Sequence, residues 1–278
     1  MRPSLVVRRA ADYLSRHEVE SPLPTAEILL AKVLGSDRAG LYTRVEGLST
    51  AEAKRFGRAL CQRCVGVPLQ HLTGEQGFRH LMLVVRPGVF IPRPETEILV
   101  DHALVAIADV QAPVVVDVGT GTGAIALAIK DERPDARVMA IDVSRDAVAL
   151  ARENAVRSDL DVEVVPGDLL DPVPVALRGV VDLIVSNPPY VEEHEFASLP
   201  REVRADPVLA LAGGIETYER LFAQASEVLR PGGAVAVEIG ETRGAAVREA
   251  ASDAGFEAAE VHPDLSGRDR VLTARMPG

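Results

Sequence analysis

The chain has 278 residues, long enough for one large domain or for a catalytic domain of roughly 190 residues with a smaller companion. A composition 47% hydrophobic and 26% charged excludes a disordered chain and calls for a packed core. With 30 Lys and Arg against 41 Asp and Glu, the formal net charge is −11, so the surface as a whole repels phosphates, which argues against a direct nucleic-acid partner.

No apolar run approaches the roughly 20 residues needed to span a bilayer. The start, MRPSLVVRRAADYL, lacks a signal-peptide core and cleavage site, so a cytoplasmic protein without membrane contact is expected. Cys61 and Cys64 have no second Cys pair and no His at zinc spacing; reduced thiols and no metal are expected.

In chain order, residues 1–75 read as short helices. Val6, Ala10, Tyr13 and Leu14 make one apolar stripe, Ala26, Leu29, Leu30 and Val33 another, and Ala53, Phe56, Leu60 and Cys64 a third. Ser49 and Glu52 stand at capping-box spacing before the third. From Phe78 to Phe90 the runs HLMLVV and GVFI flank Arg86-Pro87-Gly88, which predicts a β-hairpin linker within 76–92. Over 93–278 the strand-like runs VVVDV, VMAID, VEVV, VDLIVS and AVAVEI alternate with helical segments, which predicts a mostly parallel sheet wrapped by helices. The tail from Phe256 to Met276 adds two strands, the last antiparallel.

The run VVVDV enters Gly119-Thr120-Gly121-Thr122-Gly123 and then a helix. Glycines let the backbone turn tightly and a ligand approach, and the helix start offers unpaired N–H groups. Taken alone this fits a dinucleotide as well as S-adenosylmethionine, and so does Asp142, about twenty residues on, where a carboxylate can take both ribose hydroxyls. Two residues tilt the choice. Asp117 can reach a cofactor ammonium group, and Asp168, followed by Leu169, stands where an adenine amino group can be met; Asp168 reads equally as a strand-end turn.

The sharpest signal is Asn187-Pro188-Pro189-Tyr190 directly after VDLIVS. Two prolines fix φ and remove two backbone donors, leaving a rigid loop rich in acceptors. A planar NH2 group can donate to the Asn187 side-chain oxygen and the Pro188 carbonyl while Tyr190 stacks on it. Such a nitrogen is a poor nucleophile, and holding both hydrogens favours the lone-pair-exposed form that attacks a sulfonium methyl. The site therefore points to S-adenosylmethionine-dependent methylation of a planar amide or amine nitrogen, without metal.

On these residues the chain resembles the HemK or PrmC type of protein-(glutamine-N5) methyltransferase over essentially its whole length. The likeness includes DVGTGTGAIALA, NPPY, PLQHLTGEQGF, FIPRPETE, DPVLAL with its following GG, and VEIG. It departs at Leu169, where some relatives carry an aromatic, at His71, and in the stretch after the glycine pair. The resemblance implies a class I, Rossmann-like, seven-stranded α/β methyltransferase domain behind a small helical-bundle domain that helps dock a protein substrate. It implies S-adenosyl-L-methionine as cofactor and S-adenosyl-L-homocysteine as product, with the Gly119 to Gly123 loop, Asp142 on the ribose and Asp168-Leu169 along the adenine. It further implies that Asn187 to Tyr190 grip the glutamine of the Gly-Gly-Gln motif in class I peptide chain release factors, with Asn187 near the cofactor too. The segment Phe90 to Glu97 helps wall the site, Arg93 contacting substrate; Arg93 and Glu95 read equally as a structural ion pair and a helix first turn. A monomer is expected. The rival readings are an adenine-N6 nucleic-acid methyltransferase, which shares the loop but should carry a basic face, and a nicotinamide oxidoreductase or non-catalytic nucleotide-binding module, which leaves the loop unexplained.

Overall fold

A computed structural model describes residues 2–199 and 202–278. They divide into a smaller unit, 2–75 with 202–205, and a larger one, 76–199 with 206–278.

The smaller unit holds α1 (Pro3–Arg16), α2 (Pro22–Leu34), α3 (Arg38–Thr43), α4 (Thr50–Cys64) and α5 (Leu69–Thr73). Val7, Ala10, Leu14, Leu29, Leu30, Leu41 and Phe56 close its core. Of the stripe expected on α1, Ala10 and Leu14 are buried, Val7 is buried beside them, and Val6 and Tyr13 are half-buried at its margin. The capping box forms as its spacing predicts: Ser49 Oγ accepts from Glu52 N at 3.3 Å, and Ser49 N donates to the Glu52 carboxylate at 2.7 Å. Helix α3 is too short to show a period; the Asp37 side chain caps it by accepting from Gly40 N at 2.8 Å. Glu202 pairs with Arg63 of α4, whose side chain is buried.

Strands β1 (Glu75–Phe78) and β2 (Leu81–Val84) form a two-stranded sheet of their own. The turn lies at Arg79, in the left-handed region at φ 50, and not at Arg86-Pro87-Gly88 as the patterning suggests. Val89 and Ile91 are buried without forming a strand, because Ile91 N donates to the Asp206 side chain at 3.4 Å instead of to a neighbouring strand.

After α6 (Thr96–Ala106) the chain alternates: β3 (Val114–Val118), α7 (Ala124–Glu132), β4 (Arg137–Asp142), α8 (Arg145–Ser158), β5 (Glu163–Pro166) and β6 (Val181–Ser186). Then come α9 (Val208–Leu211), α10 (Ile215–Val228), β7 (Leu229–Glu238), α11 (Gly244–Asp253), β8 (Glu257–Pro263) and β9 (Asp269–Arg275). The sheet order is β5-β4-β3-β6-β7-β9-β8, seven strands with β9 antiparallel to both neighbours.

Both faces of the central strands are covered, which explains their unbroken apolar runs. Val115, Ala140, Leu183, Val185 and Ala236 face one core with α6, α7 and α8 residues. The alternating Val116, Ile141, Ile184, Val235 and Val237 face the other, with Tyr218, Leu221, Phe222 and Val247 of α10 and α11. From β3 the chain first builds outward through β4 and β5 and then returns to add β6 on the other side. The strand order reverses there, leaving a crevice at the carboxyl ends of β3 and β6 where ligands of open α/β sheets bind.

Candidate active site

Both sharp motifs flank that crevice, the glycine loop leaving β3 and Asn187 to Tyr190 leaving β6. A Cβ built on Gly119 would lie 4.0 Å from the Asn187 carbonyl. Gly119, Gly121 and Gly123 have φ of 73, 57 and 86, a left-handed path that favours glycine. Gly119 N and Thr120 N donate to the Ile141 carbonyl at 2.8 and 3.0 Å, so the loop hangs from the end of β4. Asn154 of α8, fully buried, bonds to the Thr122 carbonyl at 2.9 Å and to both backbone groups of Val84, tying loop, helix and β2 together.

Asp117 is fully buried, and only one of its oxygens is used. Oδ2 accepts from Thr120 Oγ1 at 2.6 Å and from Ala126 N at 3.1 Å, while Oδ1 has no partner among the described residues. Burial pushes its carboxyl up to about 7, against the pull of those two hydrogen bonds. An orphaned buried carboxylate oxygen is costly unless a ligand donor meets it. Asp142 ends β4 partly exposed, accepting from Gly121 N and Ser144 N, both at 2.8 Å, one on each oxygen. Each oxygen keeps a free lone pair, and burial raises its carboxyl as well.

Asp168 is exposed and paired with Arg220 of α10 at 2.6 Å. Leu169 beside it stands at φ 46, a conformation that a non-glycine residue holds only under constraint. Pro172 packs where a Cβ on Gly167 would lie, so only glycine fits the start of this turn.

Asn187 is half-buried, and its Nδ2 donates to Thr96 Oγ1 at 3.2 Å. Pro188 is buried; Pro189 and Tyr190 are half-buried. The Tyr190 hydroxyl donates to Glu238 Oε1 at 3.4 Å, and burial together with that carboxylate raises the phenol, so it stays protonated. Beyond the loop, Val191 N donates to the Leu211 carbonyl at 2.8 Å and Gly213 N to the Val191 carbonyl at 3.0 Å. A Cβ at Gly213 would overlap the Pro189 carbonyl, which accounts for one glycine of the GG pair. Arg93 is engaged by the buried Asp206 and lies over the Phe90 ring, 5.2 Å from its centroid. The geometry thus favours the ion-pair reading of Arg93. Sequence reasoning did not assign Thr96, Asp206 or Glu238 to the site; their only signal was membership of FIPRPETE, DPVLAL and VEIG.

A release factor glutamine methyltransferase of Deinococcus radiodurans is 42% identical to this chain over 277 residues, covering 98% of both. The chain belongs to the release factor glutamine methyltransferase family. A second such enzyme, of Moorella thermoacetica, is 41% identical over 264 residues, 92% of each chain. The model of the PrmC N-terminal domain matches residues 6–74, and that of the methyltransferase small domain matches 81–204. Among solved structures, the hMettl16 catalytic domain superposes with a TM-score of 0.56 at 16% identity over 81% of each chain, a likeness of fold. The family makes this protein an S-adenosylmethionine-dependent methyltransferase with the expected seven-stranded α/β fold. Its residues fit that cofactor. A buried, unpartnered carboxylate oxygen suits an ammonium group, a carboxylate with two spare lone pairs suits a vicinal diol, and no atom lies within 4 Å of a Cβ built on Gly121.

Proposed function

We propose that this methyltransferase modifies the side-chain amide nitrogen, N5, of the glutamine in the Gly-Gly-Gln motif of class I peptide chain release factors. It does so as a monomer and without direct contact to nucleic acid. The function of the two relatives, release factor glutamine methyltransferases near 40% identical along almost the whole chain, supports this reading. So does the net charge of −11, since an acidic surface as a whole repels nucleic-acid phosphates.

When bound, S-adenosylmethionine supplies an electrophilic sulfonium methyl group and leaves as S-adenosylhomocysteine. The cofactor is held by Asp117 at its ammonium, by the Gly119-Thr120-Gly121-Thr122-Gly123 backbone, by Asp142 at the ribose hydroxyls and by Asp168-Leu169 along the adenine. The constrained backbone of Leu169 supports that last assignment.

On the substrate side, Asn187 Oδ1 and the Pro188 carbonyl accept the two amide hydrogens. Pro189 keeps the loop rigid and Tyr190 lies against the planar amide. Holding both hydrogens draws the nitrogen lone pair out of amide resonance and aims it, a preorganised contribution to the transition state. Arg93, through Asp206 and Phe90, supports the wall beside the amide. The observation that carries the reading is the Asn187 side chain: its NH2 is committed to Thr96, while its oxygen accepts from no protein group among the described residues. The helices of residues 1–75 dock the protein substrate.

Mass spectrometry of an unmethylated release factor incubated with the protein and S-adenosylmethionine tests this. One methyl group on the Gly-Gly-Gln glutamine, lost with Asn187→Ala, is expected; transfer to adenine in nucleic acid instead would overturn it.

A further inference from the structure

Glu238 ends β7 with only 2% of its surface exposed, and Thr96 opens α6 with 3% exposed. Glu238 Oε2 accepts from Thr96 Oγ1 at 2.6 Å, and Thr96 Oγ1 lies 3.2 Å from the Asn187 side-chain nitrogen. A hydroxyl has one proton to give, and the carboxylate, having none, takes it. Thr96 can then only accept from Asn187, so the NH2 of Asn187 must face it. The flipped amide would set Oδ1 against an oxygen with no proton to offer. The same carboxylate receives the Tyr190 hydroxyl on its other oxygen at 3.4 Å. One buried side chain therefore reaches the first and last residues of the Asn-Pro-Pro-Tyr loop.

Such a carboxylate is a poor choice for stability alone, since burial disfavours its charge and it forms no salt bridge among the described residues. Burial pushes Glu238 up to about 6, and Glu95 adds to that, while Thr96, Arg270 and Tyr190 pull the other way. Tyr218 OH donates to the Glu238 backbone carbonyl at 2.9 Å and leaves the carboxylate alone.

We propose that Thr96 and Glu238 are positioning residues that lock the Asn187 amide with Oδ1 turned to the substrate nitrogen. The inference rests on Asn187 as the acceptor of the substrate amide hydrogens. Protonated Glu238 offers Thr96 a proton, which lets the hydroxyl donate to Oδ1, and the lock opens.

The test compares Thr96→Ser, which keeps the hydroxyl, with the isosteric Thr96→Val in the full chain. Two readouts are taken: release-factor methylation kinetics and the 15N side-chain amide resonance of Asn187, assigned by its absence in Asn187→Ala. Thr96→Ser should stay within about twofold of wild type, and Thr96→Val should lose about 10- to 100-fold in kcat with little change in cofactor affinity. The Asn187 resonance should keep its position in Thr96→Ser and move toward that of an unbonded amide in Thr96→Val. Glu238→Gln, which cannot ionise, serves as a second variant should Thr96→Val fold poorly. It should abolish the titration of the Asn187 resonance near pH 6. Equal loss of kcat in Thr96→Ser and Thr96→Val, an unmoved resonance in Thr96→Val, or a titration that persists in Glu238→Gln overturns the lock. Wild type that leaves the release factor unmodified refutes the proposed function instead, and the resonance still decides whether Thr96 orients Asn187.

Discussion

Asp117 uses one oxygen to hold the glycine loop through Thr120 and Ala126, and its other oxygen has no partner among the described residues. Its carboxyl, pushed up to about 7 by burial, lies above its value in the unfolded chain. A raised acid contributes stability that is complete below the unfolded value and is lost as pH rises through the folded one. Glu238, raised to about 6, acts in the same sense over a lower window. The melting temperature of the cofactor-free protein should therefore fall as pH rises toward 7, and Asp117→Asn should flatten the upper part of that fall, between about pH 6 and 7. Differential scanning fluorimetry across that range checks it. The same substitution removes the counter-charge for a bound ammonium, so cofactor affinity by calorimetry should drop about tenfold or more.

The strands set where the loops begin, and the following elements hold them in place. The turn from β6 is braced from outside by residues 211–213, where the Pro189 carbonyl fills the space beside Gly213. Gly213→Ala must push the Pro189 carbonyl away, and methylation should fall about tenfold or more while cofactor affinity stays near wild type. A steady-state assay paired with a binding isotherm separates the two. Helix α10 packs Tyr218, fully buried, under the end of β7, with its hydroxyl on the Glu238 carbonyl. Tyr218→Phe strips that carbonyl of a partner and should cost about 1 kcal/mol, seen as a drop of a few degrees in melting temperature.

For the molecule as a whole, the docking role of the helical unit predicts a defect confined to the protein substrate. Removal of residues 1–75 should raise KM for the release factor and leave cofactor binding to the larger unit intact; unchanged kcat/KM would dismiss the docking role. Much of this architecture was legible in advance. VVVDV and VDLIVS coincide with β3 and β6, and Ser49 and Glu52 mark the start of α4, because burial on both faces and local capping leave contiguous traces in the chain. The glycine loop and Asn187 to Tyr190 were equally plain, since each is a contiguous run of residues with a distinctive backbone. The hairpin was misplaced because Asp206, far along the chain, takes the backbone donor of Ile91 that would otherwise join a strand. For the same reason the partner of Arg93, Asp206, could not be read from the chain around it. Thr96 and Glu238 lie 142 residues apart, and Thr96 and Asn187 91 apart. The sequence by itself determined the central strands, the helices around them and the glycine and Asn-Pro-Pro-Tyr loops between them, all of which depend on neighbouring residues. Only the tertiary structure decided which buried hydroxyl and carboxylate stand behind Asn187. A hydrogen bond between distant residues leaves no period or spacing, and it comes into being only when strand order sets β7 beside β6.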